Sequence, residues 1–329
     1  MSTNPKVSVI VPIYKVQDFI EHCVTTLFEQ TLENIEYIFV DDCTPDDSVK
    51  ILENVLLRYP NRKDAVRIVH HEQNRGLPAA RNTGLELAHG DYIFHCDSDD
   101  YVEYDMLESM VVAAEENNAD FVWCDWYLTF EKKERYMKEP EATSQEDVIK
   151  NVLSGVMKYN VWNKIIKRSV YQDNNICFPD GYGMGEDMTI IQLLPYVNNV
   201  KYVKKAFYHY VRTNTEAFTH TISDKHLGAL QYNTNKTVEC LKNVYNDKYN
   251  LEIDFFLQNV KLPFLISPNK KDYLLWQTLY SQSNACILEN KRMPIRTRVL
   301  QWFASRKQYW YVRLYNVMIT MYYKRFYRE

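Results

Sequence analysis

Two groups of aspartates stand where short apolar runs of the sequence end. Asp41 and Asp42 follow EYIFV, and Asp97–Asp100 reads DSDD directly after YIFHC. Carboxylates in this arrangement suit Mg²⁺ or Mn²⁺, which takes one or two of them from a protein and completes its shell with phosphate and water. Asp97 and Asp99 therefore predict a site where a divalent cation stabilises charge on a departing diphosphate. A solvated acidic turn or a helix cap is the alternative interpretation.

The elements around these aspartates must bring them together. Short apolar runs alternate with amphipathic segments, a pattern that predicts a mostly parallel open sheet with helices on both faces. Ligands bind such sheets at the carboxyl ends of the strands, so both aspartate groups are expected at one edge. The predicted strands are 7–11, 36–40, 66–69, 92–96 and 121–124. The first predicted helix has one apolar face, formed by Ile20, Cys23, Val24, Leu27 and Phe28.

The alternation becomes less regular after about residue 130. The charged stretch 131–141 predicts a loop or an irregular hairpin, and 144–153 predicts a helix. Three glycines and a proline make 178–186 loop-like, before a helix over 187–196 and a strand over 202–211. From residue 226 the pattern is helical. We therefore predict two domains, residues 1–220 and residues 221–329.

Composition narrows the class of protein. Hydrophobic residues make up 46% of the 329, and 39 Lys and Arg face 43 Asp and Glu, a net charge of −4. This is the composition of a globular protein, with no overall signal for nucleic acid. The seven cysteines form no CxxC pair, which favours reduced thiols. With no leader-like or spanning apolar segment, we expect a cytoplasmic protein.

The last 34 residues are basic and aromatic. Residues 296–329 hold eight Lys and Arg and one Glu, interleaved with tryptophans and tyrosines. Such a segment suits peripheral docking on the anionic inner face of a membrane. An aromatic face packed on the rest of the chain and a homodimer contact are the alternatives.

Several segments together resemble one family. VSVIVPIYK, EYIFVDDCTPDDS and NRGLPAARNTGLELAHGDYIFHCDSDD occur in order over about the first 125 residues, and NVWNKIIKRSVY, GMGEDM and AFYHYVRTN follow. They resemble the family 2 glycosyltransferases of the GT-A fold, in particular capsule and exopolysaccharide members. The resemblance covers about the first 220 residues. It implies metal-assisted, inverting transfer of a hexosyl or N-acetylhexosaminyl group from a UDP-sugar to a hydroxyl of a glycan or a lipid-linked sugar.

The resemblance also implies a role for individual residues at the donor. Pro12, Ile13 and Tyr14 would lie under the nucleobase, and Asp42 would accept the base N3–H, which favours uracil. Arg81 and Asn82 would lie at the nucleotide. Asp97 would contact the ribose or the metal, and Asp99 would be the principal metal ligand.

A further acidic pair completes the chemistry. An inverting transfer needs a general base across the sugar from the diphosphate. By the resemblance, Asp187 is that base and Glu186 positions the acceptor, whereas helix capping is the alternative for both. Lys164 is a candidate phosphate contact beside Trp162, which could stack on a sugar or belong to the core.

Two basic residues near the end of the last predicted strand are further candidates. Arg212 could steady the diphosphate, and His209 could be an extra metal ligand or, as is more common for a lone histidine, structural.

Two rival functions remain open. A phosphohydrolase with a DxD motif would need that motif after its first strand, where this chain has Pro12-Ile13-Tyr14. A non-catalytic nucleotide-sugar-binding or assembly subunit would keep the fold and bind nucleotide without transfer.

Overall fold

A computed structural model describes residues 4–212, 224–267 and 269–327. These form two compact units by their contacts, Met1–Asp147 with Tyr159–Thr237, and Val148–Lys158 with Val238–Glu329. The predicted boundary after residue 220 lies outside the described residues, so the division at that position stays a prediction.

The first unit is built on one sheet. Its strands are β1 (Val7–Ile13), β2 (Ile35–Asp41), β3 (Val66–His70), β4 (Tyr92–His95), β5 (Tyr101–Val102), β6 (Phe121–Phe130), β7 (Lys133–Met137), β8 (Lys164–Lys167) and β9 (Val200–Val211). Its helices are α1 (Ile20–Phe28), α2 (Ser48–Leu56), α3 (Leu77–Leu87), α4 (Met106–Glu116), α6 (Arg168–Gln172) and α7 (Thr189–Leu193), and α5 (Gln145–Leu153) crosses into the second unit.

The strand order is β3-β2-β1-β4-β8-β6-β9-β5, with β7 beside β6. β3, β2, β1 and β4 run parallel, as do β6 and β9. β8 is antiparallel to both β4 and β6, and β5 and β7 also pair antiparallel. The predicted α/β class is confirmed, but the sheet is mixed rather than mostly parallel because β8 enters between its neighbours in the opposite direction.

Burial explains why the first half follows its local pattern. Every residue of β1 is buried, as expected for a central strand covered on both faces. All five apolar positions predicted for the inner face of α1 are buried. The hydrophobic pattern alone therefore predicts these two elements correctly.

The differences lie where strands are short or pair over long distances. The sequence pattern predicts neither β5 nor β8, and β6 continues six residues beyond Cys124 because β7 and β9 pair along it. The stretch 131–141 contains β7, so the hairpin alternative is correct. The helix predicted over 187–196 is instead α7 between two 3₁₀ turns, Glu186–Met188 and Leu194–Tyr196.

The second unit is helical. Residues 224–237 of α8 (Asp224–Tyr245) belong to the first unit and the rest of that helix to the second. The other helices are α9 (Asn250–Lys261), α10 (Pro263–Ile266), α11 (Lys270–Thr278), α12 (Ile295–Ser305) and α13 (Tyr309–Tyr327). In the described part of the chain, no helix is both long and apolar enough to cross a bilayer.

Candidate active site

Asp42 lies just after β2, and its carboxylate organises the start of α3. Oδ1 accepts from the Arg75 amide at 2.8 Å and Oδ2 from the Gly76 amide at 2.7 Å, while His71 Nδ1 lies 2.7 Å from Oδ1. Gly76 has a φ of 89°, in the left-handed region that favours glycine, and α3 begins at the next residue. Asp42 is buried by these contacts. Its role toward a nucleobase stays a prediction.

Arg81 of α3 joins the end of β4 to the second acidic pair. Its Nη2 donates to Asp97 Oδ1 at 2.9 Å, and its Nη1 donates to Glu186 Oε1 at 3.3 Å and Asp187 Oδ1 at 3.2 Å. The guanidinium is buried and lies 5.4 Å from the Phe178 ring centre. Residues more than 100 positions apart in sequence thus meet at one cation. Asp42, at the head of the same helix, lies at the same edge of the sheet as Asp97, as predicted.

This cluster has one guanidinium and three carboxyl groups, and their pKa values shift as a result. Burial lowers the pKa of Arg81, but Asp97, Asp187 and Glu186 together outweigh it and raise that pKa above its ordinary value. Burial and then the charge of Asp187 raise the pKa of Glu186 to about 8, against the opposing effect of Arg81. Burial also raises the pKa of Asp187, with Arg81 opposing. Near neutral pH the cluster therefore favours a protonated Glu186.

The free energy of unfolding should therefore fall as pH rises from about 4.5 to about 8. Folded Glu186 keeps its proton up to about pH 8, whereas the unfolded chain loses it near pH 4.5, so folding requires proton uptake between these values. We expect Glu186 to contribute on the order of 2 kcal/mol to this change in unfolding free energy, less than its full pKa shift implies, because its titration is linked to that of Asp187 and is partly screened by solvent. Urea unfolding at several pH values measures it. Glu186→Gln should flatten the profile, and identical profiles for the two proteins would contradict the assignment.

The loop that carries Glu186 and Asp187 is held from two sides. On one side, Asn82 of α3 donates to the Phe178 carbonyl and accepts from the Phe178 amide, both at 2.8 Å. On the other, Asn233 of α8 donates to the carbonyls of Tyr182 and Met184, at 3.2 and 2.6 Å. The predicted nucleotide neighbour Asn82 thus has a structural task, that of fixing this loop.

The turn Asp97–Asp100 presents two of its carboxylates to solvent. Asp97 and Asp99 are partly exposed, whereas Asp100 is buried. Asp100 accepts from the Tyr208 hydroxyl and the Val211 amide, each at 2.7 Å, and the Tyr208 oxygen accepts from the Asp97 amide at 3.1 Å. Asp100 therefore ties the turn to the end of β9. An open cleft beside Asp99 is also lined by the start of α1 and by residues 129–134.

The donor set fits a cation that takes its remaining ligands from a nucleotide. No group of three or more His, Cys, Asp or Glu among the described residues could hold a metal by itself. Asp97 and Asp99 offer hard carboxylate oxygens at the solvent-facing edge, the donor type that Mg²⁺ and Mn²⁺ prefer alongside phosphate and water. Their metal-binding role stays a prediction.

The remaining predicted residues lie in different surroundings. Tyr14 is exposed just after β1, while Pro12 is buried within that strand. Lys164 is buried, and its Nζ donates to the Asn160 carbonyl at 2.7 Å and to two amide oxygens, Asn160 Oδ1 and Asn163 Oδ1. Burial lowers the pKa of Lys164 to about 8. A phosphate contact by Lys164 would require these bonds to break.

Near the end of β9 the side chains divide between core and surface. Trp162 is buried and stacks on Tyr208 at 4.4 Å between ring centres, so it belongs to the core, as one of its two interpretations proposed. His209 is buried with its ring nitrogens 2.7 and 3.0 Å from Glu134 and Glu103, which accounts for both of them without a metal. Arg212 is exposed at the end of this strand.

The sequence pattern does not indicate the roles of three further residues in this region. Tyr208 and Asn233 position the site through hydrogen bonds to segments far away in sequence, and His71 supports Asp42. No local spacing could reveal the first two. The only available signal was the presence of polar side chains within otherwise apolar strand and helix faces.

Comparison with known sequences places most of the first unit in one family. The sequence model described as Glycosyl transferase family 2 matches residues 8–187, a range that ends at Asp187. Two Bacillus subtilis proteins named as glycosyltransferases are similar to this chain. EpsJ is 34% identical over 65% of this chain and 63% of its own length, so the match spans a little under two thirds of EpsJ. EpsH is 30% identical over 77% of this chain and 74% of its own length.

Comparison with solved structures shows the same fold at lower identity. S. aureus TarS 1–349 in complex with UDP-GlcNAc has a TM-score of 0.69 and 18% identity, over 96% of this chain and 92% of that one. The mannosyltransferase PcManGT from Pyrobaculum calidifontis, in complex with GDP-Man and Mn²⁺, has a TM-score of 0.54 and 16% identity, over 96% and 88%. The predicted GT-A-type architecture with a helical C-terminal region is confirmed.

Proposed function

Because this chain belongs to glycosyl transferase family 2, we propose that it transfers a sugar from a UDP-sugar to an acceptor hydroxyl with inversion at the anomeric carbon. The observation that carries the proposal is the Arg81 cluster. One buried guanidinium joins Asp97, on the solvent-facing DxD turn, to Asp187 on the opposing loop. A diphosphate-binding group and a general base would need to be held at such a fixed separation.

Asp187 is the proposed base. It accepts the proton of the acceptor hydroxyl while that oxygen attacks the anomeric carbon, and the bond to the diphosphate breaks with its electron pair leaving on the diphosphate. Glu186 keeps its proton near neutral pH, since burial and Asp187 raise its pKa to about 8. It therefore donates a hydrogen bond to the acceptor and leaves Asp187 as the proton acceptor of the pair. The buried Arg81 fixes the orientation of both.

The donor is assigned to the edge formed by the ends of β1, β2 and β4. Tyr14 is the exposed aromatic at the end of β1 and would face the nucleobase, above the buried Pro12. Asp42 would accept from the base, and Arg212 would contact the diphosphate; the buried Lys164 could contact it only after rearrangement. A UDP donor is favoured by the resemblance of TarS, which was solved with UDP-GlcNAc.

Asp97 and Asp99 would hold Mn²⁺ or Mg²⁺. The cation would neutralise the diphosphate as it departs. Support comes from the partial exposure of both carboxylates and from PcManGT, which was solved with Mn²⁺. The transferred group is proposed to be a hexosyl or N-acetylhexosaminyl residue, and the acceptor a glycan or lipid-linked sugar in capsule or other polysaccharide synthesis. The cytoplasmic location and the homodimer stay predictions.

Release of UDP from a panel of UDP-sugars tests the cation and the donor together. We expect EDTA to reduce turnover at least tenfold, Mn²⁺ to restore it, and Asp99→Ala to lower it about a hundredfold, because the diphosphate charge is then uncompensated. Asp64→Asn, at an exposed site on the same unit, is the matched control and should leave turnover unchanged.

Two outcomes would count against the proposal. Full turnover of Asp99→Ala in EDTA would show that the reaction does not need the proposed cation. Nucleotide binding without consumption of any donor in the panel would favour the non-catalytic binding or assembly subunit.

A further inference from the structure

The last helix of the second unit, α13, presents an apolar stripe to solvent. Among the residues 309–321 of this helix whose burial the structure describes, five large apolar side chains are between 48% and 65% exposed. They are Trp310, Leu314, Val317, Met318 and Met321. Their spacing of four, seven, eight and eleven residues from the first places them on one side of the helix, over an arc of about 100°. We call these five residues the α13 stripe.

The opposite side of α13 is fixed to its own unit. Val312 is fully buried, and the Tyr309 ring stacks on Tyr273 of α11 at 5.6 Å between centres. Asn316 Nδ2 donates to the carbonyl of Leu265 in α10 at 2.9 Å. Because these contacts determine the rotation of the helix, the α13 stripe faces outward as a consequence of packing.

The charged residues in the sequence of α12 and α13 have one sign. From residue 295 to residue 328 the sequence contains eight Lys and Arg and no Asp or Glu. Arg313 is exposed within α13, and Arg306 and Lys307 are exposed in the turn before it. An apolar stripe bordered by cations is complementary to a surface that is both anionic and apolar below its charged layer.

We propose that α13 is a membrane-surface helix that binds anionic phospholipid. The α13 stripe enters the boundary between headgroups and acyl chains, with Trp310 at headgroup depth, and the neighbouring Arg and Lys contact lipid phosphates. The helix lies along the bilayer plane. A second copy of this chain is a poorer occupant, because pairing two such stripes would bring like charges together. The proposal goes beyond sugar transfer and depends on no residue of the Arg81 cluster.

Sedimentation with lipid vesicles tests this inference on the full chain. We expect binding to mixed phosphatidylglycerol–phosphatidylcholine vesicles that is at least tenfold stronger than binding to phosphatidylcholine alone, and weaker in high salt. The double variant Leu314→Glu with Met318→Glu should lose at least tenfold in binding. The matched control is Val244→Glu with Leu251→Glu, at positions of the same unit that are 39% and 41% exposed and lie outside the stripe.

Three results would overturn the inference. They are wild-type protein that stays in solution with both vesicle types, a stripe variant that binds as the wild type does, and a wild-type dimer that the stripe variant converts to monomer without any vesicle binding. Circular dichroism confirms that each variant is folded. Donor consumption by the same proteins in solution separates the sugar-transfer proposal from the membrane proposal. A stripe variant that consumes donor but does not bind vesicles has lost only its membrane contact.

Discussion

Asp187→Asn is expected to lower the rate of sugar transfer about a thousandfold while leaving nucleotide affinity within about twofold of the wild type. The amide has the shape of the carboxylate and can still face Arg81 through its oxygen, but it cannot take a proton from the acceptor hydroxyl. Positioned general bases contribute roughly 10²- to 10⁴-fold to rates. The measurement is kcat for product formation, with UDP affinity determined by calorimetry.

The same loop offers a control for this variant. Asp180 is exposed and pairs with Arg75 on the surface at 3.0 Å, so Asp180→Asn should retain nearly full activity. If Asp187→Asn kept more than about a tenth of the wild-type rate while Glu186→Gln were inactive, the two acids would have to exchange roles. Loss of UDP affinity in Asp187→Asn would instead indicate a disturbed site.

Arg81→Ala is expected to destabilise the fold by about 3 kcal/mol and to abolish transfer. Removing one partner of a buried ion pair typically costs 3 to 5 kcal/mol. The lower end applies because Asp187 is 33% and Asp97 25% exposed, so water reaches the carboxylates that are left behind. Urea unfolding and donor consumption measure the two effects.

Arg75→Ala is the matched control for Arg81→Ala. It removes a single exposed ion pair and should change the unfolding free energy by less than about 1 kcal/mol. Arg81→Lys keeps the charge but not the flat fork that serves three carboxyl groups, so its stability should fall between those of Arg81→Ala and the wild type. A stability of Arg81→Ala equal to that of the wild type would show that the cluster does not hold the two segments together.

Local pattern predicted the first half of the sheet because each element there carries its own signal. β1 is apolar throughout, and α1 repeats its apolar residues at helical spacing. β8 has only four residues and β5 only two, too few for any period to show. The direction of β8 depends on its neighbours β4 and β6, which are distant in sequence, so its antiparallel pairing could not be read from its own residues.

Some features of the candidate site could also be predicted from local sequence, and others could not. That Asp42 and Asp97 lie at one edge follows from the parallel pairing of β2, β1 and β4, which the repeating pattern implies. Residue type suggested that Lys164 meets phosphate, but folding surrounds its Nζ with carbonyl and amide oxygens instead. The bonds of Arg81 to Glu186 and Asp187 span 105 and 106 residues, and only the folded chain reveals them.

The two-sided attachment of the 178–186 loop gives the chain a place where change is tolerated. Asn82 is hydrogen-bonded to Phe178, and Asn233 to Tyr182 and Met184. Pro179, Asp180 and Gly181 lie between these two attachments. A Cβ at Gly181 would meet no atom within 4 Å, although the φ of 79° favours glycine or asparagine there. Pro179 is buried and its carbonyl accepts from the Tyr182 amide, whereas Asp180 is exposed. Position 180 is therefore where descendants of this chain can vary the surface of the loop at the least cost to the Arg81 cluster.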